Sequence, residues 1–242
     1  MHEERKNRLF QHSTMAALVA GLYQGSTSFK ELLTHGDFGI GTLNNLDGEL
    51  IILDGSAYQI KEDGKVYHLK PKDTTPFASI TFFSADHSFD VTKLTAKAKL
   101  EAQMESYMQS PNLFYAIRIT GNFRIVHTRV VRKQTRPYPL LIEAVKTQPT
   151  FDLEYRTGTI VGFWSPSYIQ GLVVPGYHLH FMDDLKQVGG HVFDYTLLEG
   201  VVEIAHQTEF ELELPHTTEF LNSDLNNPEI TDQIDSIENK KD

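Results

Sequence analysis

The chain has 242 residues, 40% of them apolar, enough for a substantial core in one large domain or two small ones. Its formal charge of −10 and isoelectric point near 5.5 argue against nucleic acid or an anionic membrane as the main partner, since both select a basic surface. It has no cysteine, which excludes disulfides, thiolate metal sites and cysteine nucleophiles, so a metal must be held by histidine and carboxylate.

The N-terminal stretch MHEERKNR (1–8) is charged and leads into mixed sequence. No signal peptide and no membrane span are expected, and the cytoplasm is the default location. From 10 to 35, Phe10, Met15, Leu18, Val19, Leu22 and Tyr23 recur at helical spacing before a break at GSTS (25–28), which predicts two short helices. Apolar runs separated by the turns NNLDG (44–48), DG (54–55) and DG (63–64) predict a β-meander from 38 to 69, and 77–83 adds a strand.

Residues 93–110 are polar good helix formers and predict a surface helix, followed by strands at 113–120 and 123–131. On a period of two, His127, Arg129 and Val131 share one face of the latter strand, and Arg124, Val126, Thr128 and Val130 the other. Residues 141–145 predict a single helical turn, and from 151 onward strand patterns dominate. The polar, acidic tail after Pro215 carries Ile230, Ile234 and Ile237 at helical spacing, which predicts a short docked helix. The expected class is α+β. An N-terminal half (1–147) would hold a mixed sheet with flanking helices, and a C-terminal half (148–242) a mainly antiparallel, barrel-like sheet, the two forming one compact unit with a metal site between them.

Three of the eleven histidines fall in PGYHLHFMDDLKQVGGH (175–191). In a strand over 177–181, His178 and His180 lie on one face, roughly 7 Å apart, while Tyr177, Leu179 and Phe181 fill the other. Gly189 and Gly190 read as the turn that brings His191 alongside. Three neutral imidazoles on a hairpin would leave a coordination position open; zinc suits them, and iron or manganese would serve in similar geometry. The alternative is three unrelated imidazoles, two of them facing solvent.

Glu49 enters the apolar run 50–53, either as a ligand or proton-transfer group or as a strand-end carboxylate in water. Arg118, Arg124, Arg129, Arg132, Lys133 and Arg136 form the densest basic series; one of them aimed inward would clamp a substrate carboxylate. Asp183 and Asp184 read as turn residues. No Gly-rich phosphate loop or Gly-x-Ser-x-Gly elbow is present, and Gly39 and Gly41 read as a close backbone approach.

Taken together and in this order, GIGTLNNLDGELIILDG (39–55), TRVVRKQ (128–134), PGYHLHFM (175–182) and GGHV (189–192) resemble the α-acetolactate decarboxylases. The resemblance runs from about residue 21 to 214. It implies a zinc enzyme, usually a homodimer with two β-rich domains and the metal between them, that converts the small anionic 2-acetolactate to acetoin and CO2. It implies His178, His180 and His191 as zinc ligands, Glu49 and Arg129 in the active site and Thr42 beside them on the substrate. It also implies a C-terminal glutamate, placed at Glu238 with Glu229 as the alternative. The ion would stabilise an enediolate without an organic cofactor. Glu49 or the tail glutamate would protonate it. A cupin-like metal-dependent dioxygenase, with Asp184 in place of that motif's glutamate, and a non-catalytic metal-binding β-domain are the rival readings.

Overall fold

The computed structural model describes residues 7–226 together with 233 and 234. The first part of the chain gives β1 (Arg8–His12), α1 (Met15–Val19), β2 (Thr27–Ser28), α2 (Phe29–Leu32), β3 (Phe38–Thr42), β4 (Glu49–Leu53), β5 (Ser56–Ile60), β6 (Val66–His68), β7 (Thr74–Thr75) and β8 (Ala78–Thr81). The remainder gives β9 (His87–Val91), β10 (Thr95–Ala96), α3 (Lys97–Glu105), β11 (Phe114–Arg129), α4 (Leu141–Ala144), β12 (Thr150–Ser165), β13 (Gly176–Asp183), β14 (Gly189–Gln207), β15 (Glu209–Glu213) and α5 (Thr218–Asn222).

Two sheets carry the fold. One has seven strands in the order β15-β1-β8-β3-β4-β5-β6. In the other, β11 pairs with β12 and β14, and β13 pairs with both β12 and the start of β14, so these four strands close into a ring. This is the α+β, β-rich architecture with a barrel-like C-terminal part. Residues before 147 supply β9, β10 and β11 to the ring sheet, and β15 returns to pair in parallel with β1 in the other.

Alternation assigns the faces. Along β11, β12 and β13, Ile117, Ile119, Ile160, Leu179 and Phe181 point to a core that Leu100 and Met104 of α3 complete. The opposite residues Ala116, Val161 and Met182 pack on Ile40, Ile51 and Ile60 of the seven-stranded sheet. Full burial of such a side chain stabilises by about 1.5–3 kcal/mol, so register is fixed by both cores at once. Because β3 and β4 are covered on both faces, they are apolar almost throughout. Gly41 sits where a Cβ would lie 2.3 Å from the Phe77 carbonyl oxygen, the close approach that its sequence context suggested.

Some expectations need correction. Phe10 lies in β1, not in a helix; its helical spacing to Met15 is a coincidence across Thr14, which caps α1 by accepting the Ala17 N–H. Arg124 does not share a face with Val126: β11 shifts register between Phe123 and Ile125, and the bulge leaves Arg124 exposed. Among the described residues, no helix is long and apolar enough to cross a membrane.

Candidate metal centre

Register, more than sequence distance, builds the site. Arg129 on β11 pairs with His191 on β14, and His191 pairs with His180 on β13, so the three residues form a row across adjacent strands. His178 lies one pleat along β13 on the same face. Ring centroids are 5.2 Å apart for His178 and His180, 5.1 Å for His178 and His191, and 5.3 Å for His180 and His191. One nitrogen from each ring can be chosen so that all lie within 4.8 Å of one another, and this is the metal-competent group of three found among the described residues.

The hairpin turns earlier than its glycines suggest. Asp183 Oδ1 accepts the N–H groups of Gln187 at 2.7 Å and Val188 at 3.0 Å, so the reversal spans 183–188 and Asp183 is the turn residue. Gly189 and Gly190 are strand residues paired with Met182 and Phe181. A Cβ on Gly189 would lie 2.3 Å from the Phe181 carbonyl oxygen, so glycine here lets β14 approach β13 and sets the height of His191.

The electrostatics favour neutral ligands. Burial pushes the His178 imidazole down to about 3, with Arg129 adding to the effect. His180 and His191 lie well below the ordinary histidine value, again through burial first and the neighbouring positive groups second. Nδ1 of His180 faces the Leu50 carbonyl oxygen at 2.9 Å. A carbonyl only accepts, so Nδ1 carries the proton and Nε2 carries a lone pair. That buried Nε2 has no hydrogen-bond partner among the described residues, and it lies 3.6 Å from Glu49 Oε2. An unsatisfied lone pair at the centre of three neutral imidazoles fits a divalent cation.

Glu49 is 6% exposed, a buried carboxylate and not a strand-end group in water. Its Oε1 accepts the Val131 N–H at 2.9 Å. Arg129 Nη2 lies 3.4 Å from His191 Nε2. Others of the basic series are engaged elsewhere: Arg118 with Glu203, Arg132 with Glu62 and Arg136 with Glu219. Thr42 is buried, and its hydroxyl donates to the Gly48 carbonyl at 2.7 Å, bracing the turn that delivers Glu49.

Glu49, Arg129, Thr42, His178 and His191 line one cleft of about 60 Å³, room for a few waters or a small acid. Its opposite wall is apolar: Met15 and Leu18 of α1, Leu46, Phe77, Leu141 of α4, and Val145. Sequence reasoning missed this wall, although Leu141, Val145 and Gln148 stand at helical spacing and face it together. It also missed the Leu50 carbonyl and the Val131 N–H, backbone groups that no residue type announces. Glu238 and Glu229 lie outside the described residues.

The family model described as alpha-acetolactate decarboxylase matches residues 9–227. The chain belongs to the alpha-acetolactate decarboxylase family. It is therefore an enzyme, a carboxy-lyase. The alpha-acetolactate decarboxylase of Bacillus licheniformis is 44% identical over 98% of this chain and 93% of its own length. The crystal structure of the alpha-acetolactate decarboxylase from Bacillus subtilis strain 168 superposes with a TM-score of 0.93 at 44% identity, covering 96% of this chain and 99% of that one. A Staphylococcus aureus protein described as similar to the family superposes with a TM-score of 0.92 at 37% identity, covering 96% of this chain and 100% of its own.

Proposed function

We propose that the chain decarboxylates 2-acetolactate to acetoin and CO2, with a divalent ion, zinc by its preference for imidazole, held by His178, His180 and His191. The observation that carries this reading is the convergence of three neutral imidazoles, His180 and His191 buried and His178 half-buried, beside Arg129 and Glu49 in one small cleft.

The substrate is a β-keto acid. When its C–C bond to the carboxylate breaks, the electron pair moves into the adjacent ketone and CO2 leaves; the resulting enediolate then takes a proton on carbon to give acetoin. When bound, the ion supplies Lewis-acid stabilisation of the negative charge that develops on the ketone and hydroxyl oxygens.

The protein's own groups supply orientation and the proton. Arg129, fixed on the strand opposite His191, binds the substrate carboxylate and thereafter faces the charge left behind. Glu49 is held by the Val131 N–H, and its second oxygen lies 3.6 Å from His180 Nε2, so the carboxylate is aimed into the cleft. Glu49 or Glu238 delivers the proton. Thr42 meets the substrate from the edge of the cleft, and the apolar wall excludes water and receives the methyl groups. From the family resemblance we also infer a homodimer, which light scattering on the purified protein tests.

Incubation with racemic 2-acetolactate, with acetoin as the readout, tests the reaction. Acetoin forms on this reading; metal-loaded wild-type protein that produces none contradicts it.

A further inference from the structure

The apolar wall of the cleft is made by the least self-sufficient parts of the fold. Two of its contributors, α1 and α4, are five and four residues long, far below the length at which a helix holds itself. Neither is a strand of either sheet: α1 is tied at its start to the Leu172 and Gly171 carbonyls by the Met15 and Ala16 N–H groups, and the rest of its hold, like that of α4, comes from side-chain packing.

Ile234 packs there. It is 0% exposed and belongs to one buried cluster with Met15, Leu18, Leu46, Phe77 and Leu141. Those five residues also line the cleft beside His178, His191 and Arg129, whereas Ile234 does not. A side chain near the end of the chain therefore sits against the wall without reaching the place where substrate binds. Of the three isoleucines at helical spacing in the tail, Ile234 is the one within the described residues, and it is docked.

We propose that Ile234 is a positioning residue for the decarboxylation: its side chain holds the Met15, Leu18 and Leu141 wall at the spacing that admits a 2-methyl group and disfavours a larger one. The statement about substrate rests on the decarboxylase reading. Truncating Ile234 to alanine leaves a void that neighbours fill only in part. The short helices α1 and α4 move more readily than paired strands, so the void is transmitted to the cleft.

The test measures two quantities in wild type, Ile234→Ala and Ile234→Val. One is the ratio of kcat/KM for 2-acetolactate to that for its homologue with a 2-ethyl group; the other is amide hydrogen exchange over 15–23, 141–147 and the strands β11 and β12. Ile234→Ala is expected to shift the ratio toward the larger substrate by about threefold or more, with faster exchange confined to 15–23 and 141–147. Ile234→Val is expected to return both toward wild type. Loss of folded protein lowers both rates alike and leaves the ratio unmoved, so an unchanged ratio overturns the proposal, as does exchange that accelerates equally in β11 and β12. If neither substrate reacts with wild-type protein, the decarboxylase reading fails on its own account, and the exchange measurement still decides whether Ile234 holds the wall: unchanged exchange at α1 and α4 overturns it.

Discussion

Glu49 Oε1 accepts the backbone N–H of Val131 at 2.9 Å, a bond between the seven-stranded sheet and the chain just past the strand that carries Arg129. It makes Glu49 both a structural tie and a candidate proton donor, and two substitutions separate these roles. Glu49→Gln keeps an acceptor for Val131 and is expected to melt within a few degrees of wild type while losing most of its turnover. Glu49→Ala strands a part-buried N–H and is expected to lose about 1 kcal/mol or more of stability as well. Denaturant melts and acetoin assays on both variants check this; full turnover in Glu49→Gln would remove Glu49 from proton transfer.

Arg129 stands opposite His191 and reaches its ring at 3.4 Å. A lysine there retains charge but not the planar fork that matches a carboxylate. Arg129→Lys is expected to lower kcat/KM by about a hundredfold while bound metal, read by elemental analysis, stays at the wild-type level. Unimpaired turnover in Arg129→Ala would contradict the role assigned to the guanidinium.

Gly189 tests the geometry without touching a ligand. A Cβ there meets the Phe181 carbonyl oxygen at 2.3 Å, so one strand must move, and His191 lies two residues on. Gly189→Ala is expected to weaken metal affinity at least tenfold, a change of about 1.4 kcal/mol, as followed by competition with a chelating dye. Wild-type affinity would show that β14 adjusts without displacing His191.

The metal-free protein should be acid-sensitive. His12, His178, His180 and His191 are all lowered from 6.5 by burial. As pH falls, the unfolded chain takes up protons on these residues before the folded chain does. Stability is therefore complete above 6.5 and is lost as pH drops below that value toward the lowered folded values, by at most about 1.4 kcal/mol per pH unit for each residue. Thermal melts in chelator at pH 7.5 and 5.5 are expected to differ by roughly 5 °C or more, with the lower pH less stable. Equal melting temperatures would mean the rings are charged in the folded state.

What could be read in advance followed from periodicity. His178 and His180 share one face because a strand alternates strictly, and the core-facing Leu179 and Phe181 show the same parity. The same argument failed at Arg124, where a bulge in β11 breaks the alternation. At His191 the neighbourhood was right and the turn was wrong: Gly189-Gly190 reads as a reversal by residue type, but Asp183 captures the turn through its side chain and the glycines serve a tight strand approach. Glu49 and Arg129 carried no local signal strong enough to join them to the histidines; the family resemblance did that. The apolar wall stayed invisible because its residues come from four distant segments and meet only in three dimensions.

The central claim is that the three imidazoles hold an ion on which turnover depends. Metal-stripped protein titrated with zinc, with acetoin formation from 2-acetolactate recorded at each addition, tests it most directly. Activity is expected to be negligible at the start, to rise linearly and to reach a plateau at one ion per chain, with His180→Ala staying at the baseline throughout. Full activity in the stripped protein, or a wild-type titration curve in His180→Ala, would contradict it.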